Sequence, residues 1–503
     1  MNSGGGMFRS LFFPKKIIFA TLVLFMMSNC SNDKTTNIEN GLRGPVVISE
    51  RSQTMNLEKR MRHYNVSAVS IAVIKDSSID FVKTFGKDVD QNTLFQVGSI
   101  SKTLNAFGIL TLVQQGKVNL DEDVNKYLKR WKIKHNQNYK ETDKITLRQI
   151  LSHSAGLSVH GFPGYEINKK LPSIIDVLNG DPKSANTEPV EVIHKPGEQF
   201  QYSGGGTTVS QLILEDVTGE DYATWMEKNV LKPLDMKAST FKQPLPKKLQ
   251  SKAAAGHDLD GNVIDGKWHA YPEKGAAGLW TTPTDLAKFL IAMLKISEGS
   301  TDYPINKKIQ DEMFKKQVPA KEFQKDYCGL GVFLDGNKED FSFGHDGCNE
   351  GFIARMVAYP KLKKGFVIMI NKDGSENFMD EITNGIADTY NMPGFKKVTK
   401  ESVKYSLGDY PDILGTYKNK EYSLDIISKE NTLFLYDPNS KTKKRLYLRN
   451  NQRFFVLEEA IEIEYLQDKK QINIHSRDAA NGINTLVKVN NDTNCFGFIC
   501  TAP

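Results

Sequence analysis

The sequence predicts an α+β protein followed by a small all-β domain. Strand-like segments stand near the start of the chain, at residues 67–74 and 79–85, and return at residues 353–359 and 366–371. The region between them, about residues 104–295, is mostly helix and loop. We therefore expect one sheet assembled from both ends of a domain, with a largely helical region inserted. That arrangement leaves a cleft, which is where sites form.

Helices in the first domain follow from apolar spacing and capping residues. One helix is expected directly after Ser99, because apolar residues recur every three residues from Leu104 and Gly116 is a suitable C-terminal stop. A second helix begins at Pro283, with Thr282 as its N-cap and Asp285 in the third position, as in a capping box. Further helices are predicted at residues 145–151, 208–218, 222–230 and 377–390.

The pattern changes at about residue 402. From there, polar and apolar residues alternate and short turns interrupt them, which predicts a β-meander or small barrel over residues 402–503. This segment has no constellation of catalytic residue types. We expect it to serve in accessory packing or ligand recognition, beside a main domain over residues 56–395.

Composition is that of a soluble globular protein. The chain has 503 residues, 39% of them hydrophobic and 25% charged, with a net charge of +6. Its basic residues are scattered rather than grouped into a stripe, so we expect no nucleic-acid partner. The histidines and cysteines fall in no metal-ligand spacing, so no metal site is expected.

The N-terminus resembles an export signal. Arg9, Lys15 and Lys16 precede a mostly apolar run over residues 17–27. At roughly 11 residues this run is too short to span a bilayer, so we interpret residues 1–30 as a signal peptide.

Cys30 closes this segment where a bacterial lipoprotein carries its acylated cysteine. Asn29 and Met27 depart from the usual residues at their positions, so simple cleavage or an uncleaved anchor are alternatives. In the favoured interpretation residues 31–55 tether the folded domain to a lipid anchor. The protein would then be a periplasmic or outer-membrane lipoprotein in the cell envelope of a bacterium.

Four further cysteines remain. Cys495 and Cys500 are close enough for a disulfide in an oxidising compartment, and two free thiols are the alternative. Cys328 and Cys348 have no evident partner in the sequence.

A serine and a lysine at the start of the first helix are the leading candidates for chemistry. Ser99 ends a short apolar run, and Lys102 lies one helical turn along the same face, so a nucleophile and its proton acceptor would be adjacent. The spacing alone is weak, because it recurs at Ser31/Lys34, Ser239/Lys242 and Ser440/Lys443. Only Ser99 stands at a predicted strand-to-helix junction.

Two later segments complete a known pattern. Tyr202-Ser203-Gly204 and His345-Asp346-Gly347 follow Ser99-Ile100-Ser101-Lys102 in the chain. Together they resemble the serine β-lactamase and penicillin-binding superfamily, specifically its class C β-lactamase-like serine hydrolases, which carry Ser-x-x-Lys, Tyr-x-Asn and Lys/His-x-Gly in this order. Residues 146–165 and 276–289 are similar to that family's intervening segments, and the resemblance covers about residues 60–395.

The resemblance implies a β-lactamase/transpeptidase-like fold, in which an antiparallel sheet flanked by helices meets a largely helical subdomain. The C-terminal meander resembles the β-domain often appended to such hydrolases. The resemblance also implies an acyl-enzyme at Ser99, with no metal or organic cofactor.

The proton acceptor of Ser99 is Lys102 or Tyr202. A serine hydroxyl needs a base, and no His–Asp pair is identifiable at Ser99. Holding a tyrosine as phenolate at pH 7 requires a shift of ~3 pKa units, about 4 kcal/mol, which one nearby ammonium supplies. A neutral lysine requires a comparable shift by desolvation, so the sequence leaves the choice open.

The resemblance assigns further roles. His345 would lend positive charge to a substrate carboxylate or donate to Tyr202, with a purely structural hydrogen bond as the alternative. The N–H groups of Ser99 and Cys348 would form the oxyanion hole. Gly204, Asp346 and Gly347 would contact substrate, but Gly204 replaces the family's asparagine, which disfavours antibiotic-type binding.

The sequence therefore predicts an exported serine hydrolase that cleaves amides or esters. The expected partners are small molecules or peptides: D-amino-acid peptides, peptidoglycan-derived fragments or small esters. A class C-type β-lactamase and a catalytically silent binding or sensor protein are the alternatives.

Overall fold

A computed structural model of the chain describes Met1, Lys34 and residues 36–49, 54–476 and 483–489. Within these residues the main sheet is antiparallel and has eight strands. Its strands are β2 (Ala68–Lys75), β3 (Ser78–Gly86), β8 (Val318–Ala320), β9 (Lys325–Cys328), β10 (Phe333–Asp335), β11 (Ser342–Asn349), β12 (Phe352–Tyr359) and β13 (Lys364–Ile370). They lie side by side in this sheet, in the order β3-β2-β13-β12-β11-β10-β9-β8. Short paired strands lie outside it: β1 (Val46–Ile48), β4 (Phe95–Gln96), β5 (Tyr165–Glu166), β6 (His269–Ala270), β7 (Trp280–Thr281) and β14 (Val398–Lys400).

Helices precede, interrupt and follow the strands of this sheet. In chain order they are α1 (Leu57–Tyr64), α2 (Ile100–Gln114), α3 (Leu147–Leu151), α4 (Ile174–Asn179), α5 (Gly204–Thr218), α6 (Tyr222–Met226), α7 (Lys247–Gln250), α8 (Lys274–Ala277), α9 (Pro283–Ser297), α10 (Lys307–Met313) and α11 (Glu376–Tyr390). A π-helical turn, Glu227–Leu231, continues α6. Within the described ranges, every helix is too short or too polar to cross a bilayer.

Both faces of the central strands are buried. In β2, Ala68, Ala72 and Ile74 join the core shared with the helical region, whereas the alternate residues Val69 and Ile71 join a second core. The helix α9 packs on the first face. The helices α1 and α11 supply residues to the second core. These strands are therefore nearly continuous apolar runs, although antiparallel sheets often leave one face to solvent.

The predicted elements are confirmed with small changes at their ends. The four predicted strands correspond to β2, β3, β12 and β13. The helix after Ser99 ends at Gln114, with Gln115 as its C-cap and Gly116 in the left-handed region. The N-cap at Thr282 is confirmed, since its side chain accepts from Asp285 N. The capping box is only half formed, because the Asp285 carboxylate accepts from the N–H groups of Ala238 and Ser239 instead.

The segment predicted as a tether, residues 31–55, is packed over much of its described part. Ile38 and Leu42 are fully buried in the second core, and β1 pairs in parallel with β14. The sequence pattern missed this packing, because isolated apolar residues in a polar stretch give no period. Residues 2–30 of the predicted signal peptide, which include Cys30, lie outside the described residues, as do Cys495 and Cys500.

The C-terminal region forms the predicted all-β unit. Its described part has nine strands: β15 (Gly415–Lys418), β16 (Ser423–Lys429), β17 (Thr432–Asp437), β18 (Thr442–Arg445), β19 (Tyr447–Asn450), β20 (Arg453–Phe455), β21 (Ile461–Leu466), β22 (Gln471–Ser476) and β23 (Ile483–Lys488). They lie in the order β18-β17-β16-β15-β23-β22-β21-β20-β19, a nearly closed, barrel-like sheet around its own apolar core.

A buried ion pair joins the two helices on the second face of the main sheet. Arg60 of α1 donates to both carboxylate oxygens of Glu381 on α11, at 2.7 and 2.5 Å, and Tyr64 donates to the same carboxylate at 2.8 Å. The Glu381 side chain has no exposed surface. Removing the carboxylate leaves a largely buried guanidinium without its main partner.

We expect Glu381→Ala to lower the free energy of unfolding by about 3–5 kcal/mol, because it breaks a buried pair from one side. Chemical denaturation of both proteins measures the difference. Asp311→Ala is the control, since Asp311 pairs with Lys307 at an exposed i,i+4 position and should change stability little. A Glu381→Ala effect as small as the control's would contradict this account of the helix pair.

Candidate active site

Ser99 stands between β4 and α2 with its hydroxyl free of a capping role. Ser99 occupies the N-cap position, but its backbone is helical (φ −64°, ψ −11°) and its side chain makes no capping hydrogen bond. Within the described chain its N–H has no backbone acceptor. Both the hydroxyl and the N–H are therefore available for chemistry.

Two glycines allow β11 to pack directly against this turn. A Cβ on Gly98, whose φ is +46°, would lie 2.5 Å from the Cys348 carbonyl oxygen. A Cβ on Gly347 would lie 1.9 Å from the Val97 carbonyl oxygen and 3.0 Å from Ser99 N. No other residue type fits at either position, so the third predicted motif meets the first as the sequence predicts.

Lys102 contacts Ser99 from inside the protein. Its Nζ lies 2.9 Å from Ser99 Oγ and 2.9 Å from the Ala276 carbonyl oxygen, which α8 presents. The side chain is buried, and burial lowers the pKa of Lys102 to about 7. At neutral pH a large fraction of this amine is therefore uncharged and able to accept a proton.

Tyr202 packs beside the pair with its phenol protonated. Burial raises the pKa of Tyr202 above its usual value, and an interaction with Ser99 only partly opposes the rise. Lys102 Nζ lies 5.1 Å from the centre of its ring. Of the two bases that the sequence left open, the two pKa shifts favour Lys102, because the amine reaches its neutral form at a far lower pH than the phenol reaches its ionised form.

His345 is neutral, which argues against both of its expected catalytic roles. Its Nδ1 lies 2.5 Å from the Asp346 carbonyl oxygen, which only accepts, so this nitrogen carries the proton. Burial, assisted by nearby Lys102, lowers the pKa of His345 to about 4. The ring therefore offers no positive charge to a substrate carboxylate, and its Nε2 is an acceptor rather than a donor to Tyr202.

Asp346 is bound to an arginine on the neighbouring strand. Arg355 donates to both oxygens of Asp346, each at 2.9 Å, and also to Asp380 at 2.6 Å and to Thr383 at 3.3 Å. Partial desolvation alone would raise the pKa of Asp346, whose side chain is about half exposed, but the attraction of Arg355 outweighs it and lowers the pKa. The carboxylate is therefore ionised.

A groove of about 760 Å³ opens in front of Ser99. Ser99, Tyr202 and Phe323 lie at one part of it, and it continues along β11 and β12 towards α11 and residues 393–396. The strand β10 covers β11 only as far as Gly344, so residues 345–349 of β11 have no sheet partner on that side within the described chain. The groove thus joins an activated serine to an unpaired strand edge.

The sequence that contains these site residues matches a known family. The family model described as Beta-lactamase matches residues 55–391, which is most of the chain. The protein belongs to the Beta-lactamase family. "Protein flp" of Staphylococcus aureus (strain N315) is 24% identical over 330 residues, which are 63% of this chain and 61% of that protein. A "Putative D-alanyl-D-alanine carboxypeptidase" of Salmonella paratyphi B is 26% identical over 310 residues, 54% of this chain and 69% of that protein.

Solved structures support the same fold for this Beta-lactamase-family chain. The "octameric penicillin-binding protein homologue from Pyrococcus abyssi" aligns with a TM-score of 0.56 at 19% identity, over 86% of this chain and 98% of that one. "SurE with D-Leu" aligns with a TM-score of 0.52, also at 19% identity, over 86% of this chain and 97% of that one. The predicted β-lactamase/transpeptidase-like fold is confirmed.

Gly204, expected to contact substrate, is covered instead. It begins α5, and a Cβ there would lie 2.9 Å from the Phe162 ring and 3.0 Å from the His160 carbonyl oxygen. Its N–H donates to that same carbonyl at 3.0 Å. The segment containing His160 and Phe162 fills the space that a side chain at position 204 would need, which explains the glycine.

His153, in the stretch Ser152–Leu157, was not among the predicted site residues. Its ring lies 4.3 Å from the Tyr202 ring, between ring centres. The residues on both sides of Tyr202 donate to it: Gln201 N to its carbonyl oxygen at 2.7 Å and Ser203 N to its Nδ1 at 3.1 Å. His153 is thus a positioning residue for Tyr202, and its place in a family-like segment was the only sequence signal.

We expect His153→Leu to slow acylation of Ser99 at least about tenfold. The substitution leaves the buried N–H of Ser203 without its acceptor, at a cost of about 1–3 kcal/mol, and frees Tyr202 to move. His153→Asn should retain more activity, because asparagine keeps an acceptor and tolerates the left-handed backbone at this position (φ +56°). The pH profile of labelling by a fluorophosphonate, compared among the variants, measures the effect.

The control is His160→Leu. The His160 ring also lies against the Tyr202 ring, at 4.8 Å between ring centres, but among the described residues it makes no hydrogen bond to those beside Tyr202. Equal slowing by His160→Leu and His153→Leu, or an unchanged pH profile in His153→Leu, would contradict the positioning role.

Proposed function

We propose that this protein is a serine hydrolase that cleaves amide or ester bonds through an acyl-enzyme at Ser99. The observation that carries the proposal is the contact of 2.9 Å between Lys102 Nζ and Ser99 Oγ, in a site where burial brings the pKa of the amine to about 7. A general base works best when its pKa lies near the working pH, because a useful fraction of it is then unprotonated and it still binds a proton strongly enough.

The chemistry follows from the positions of the groups. Lys102 Nζ accepts the Ser99 proton as Oγ attacks the carbonyl carbon of the substrate. The N–H groups of Ser99 and Cys348 hold the developing oxyanion, each contributing about 3 kcal/mol. Tyr202, protonated and linked to Ser99, donates its proton to the leaving group and recovers one from Lys102. Water then attacks the acyl-enzyme by the same steps in reverse.

D-amino-acid peptides, peptidoglycan-derived fragments and small esters are the proposed substrates. The similarity to a putative D-alanyl-D-alanine carboxypeptidase supports this class. We place the enzyme in the bacterial cell envelope, exported by residues 1–30 and anchored through lipid on Cys30, on the N-terminal sequence pattern alone. The match spans 61% of Protein flp, so that protein's role is not carried over.

Two alternatives fit the structure less well. A dedicated β-lactamase needs a cation for the antibiotic's carboxylate, and His345 is neutral. A silent binding protein would not need a desolvated lysine in contact with Ser99. The test is labelling with a fluorophosphonate probe, followed by turnover of ester, D-aminoacyl and β-lactam substrates.

We expect the wild type to be labelled and Ser99→Ala to be unlabelled. Ser440→Ala is the matched control, because Ser440 shares the Ser-x-x-Lys spacing but lies in a turn that bonds Asp437. Absence of labelling in folded wild type would favour the silent binder. β-Lactam turnover far above ester and D-aminoacyl turnover would favour the β-lactamase.

A further inference from the structure

We infer that Asp346 is a specificity-determining residue that rejects a carboxylate beside the third motif, so that the preferred substrates are esters or amides that are uncharged or carry an ammonium at that position. This inference rests on the proposed hydrolase function and narrows its substrate class. Within the proposed class it favours D-aminoacyl esters and amides over peptides that present a free C-terminal carboxylate at that position.

The first support is the position of Asp346. It precedes Gly347, whose α-carbon packs against the turn of Ser99, and both residues lie on the unpaired part of β11. The Asp346 side chain is 53% exposed and lines the groove. A substrate that reaches Ser99 along this strand edge must therefore pass an ionised carboxylate.

The second support is that Arg355 has little capacity left for an anion. A guanidinium has five N–H donors, and the bonds to Asp346, Asp380 and Thr383 number four here. Two carboxylates already balance its charge. A substrate carboxylate would be repelled by Asp346 and would find too few free N–H donors on Arg355 to compensate.

The other basic groups along the groove do not change this conclusion. Among the described lining residues, His345 is neutral and Lys325 pairs with Asp335 at 2.8 Å. Lys396 lies three residues after Pro393, whose carbonyl oxygen accepts a hydrogen bond of 2.8 Å from Tyr359 near the start of β11. Tyr359 follows Ala358, the partner of Phe343, so it lies level with Ser342, five residues from Gly347 and roughly 17 Å along the strand.

Matched thioesters test the inference. N-acetyl-D-alanyl thioesters of mercaptoacetamide and mercaptoacetate differ only in the charge of the leaving group, and the released thiol reports turnover. A second pair places the carboxylate on the acyl group, as succinyl against succinamoyl. We expect wild type to favour the uncharged member of at least one pair by about tenfold in kcat/KM, the scale of repulsion between two partly solvated carboxylates.

Asp346→Asn should bring the same ratio close to one or reverse it, because the substitution removes the repulsion and releases donors of Arg355. Asp380→Asn is the matched control, since Asp380 bonds the same guanidinium from α11. Lys396→Ala controls for the remote lysine. In both controls, the logarithm of the kcat/KM ratio within the substrate pair should stay at least half of its wild-type value.

Equal rates within both pairs, or a preference for carboxylates in wild type, would overturn the inference. An equal loss of discrimination in Asp380→Asn would overturn it as well, because general groove charge would then explain the preference. Failure of fluorophosphonate to label folded wild type would instead mark failure of the proposed hydrolase function, and the inference would fall with it.

Discussion

Burial of the Lys102 amine against Ser99 is the constraint on which the site depends. A fall of the pKa from 10.5 to about 7 corresponds to roughly 5 kcal/mol of disfavoured charge. No carboxylate bonds the amine within the described chain; its contacts are Ser99 Oγ and the Ala276 carbonyl oxygen. The fold therefore uses exclusion of water, rather than a neighbouring charge, to produce a base.

The rest of the molecule supports that exclusion. The helix α2 is buried along most of its length, so Lys102 extends from a rigid element. Gly98 and Gly347 let the edge of β11 close one side, and the rings of His153 and Phe323 close the other around Tyr202. Preorganised groups of this kind need no rearrangement as charge develops, which is the main source of electrostatic catalysis.

Local patterns predicted much of this architecture, and long-range contacts account for the rest. The strands, the helix after Ser99 and the ordered motifs were readable because each has its own period or spacing. The neutrality of His345 could not be predicted from the sequence, because it depends on burial by several elements. The packed residues Ile38 and Leu42, the segment that covers Gly204 and the bonds from His153 also join positions far apart in sequence. One sequence without relatives aligned to it does not reveal such pairs.

Direct titration of Lys102 tests the central claim. Lysine labelled with ¹³C at Cε, observed by NMR from pH 5 to pH 11 in wild type and in Lys102→Arg for assignment, reports the ionisation of this amine. We predict a midpoint near 7 for the one resonance that the variant lacks, as burial requires. A midpoint near the ordinary lysine value of ~10.4 would contradict the account, because Lys102 would then be an ammonium at neutral pH and Ser99 would need another base.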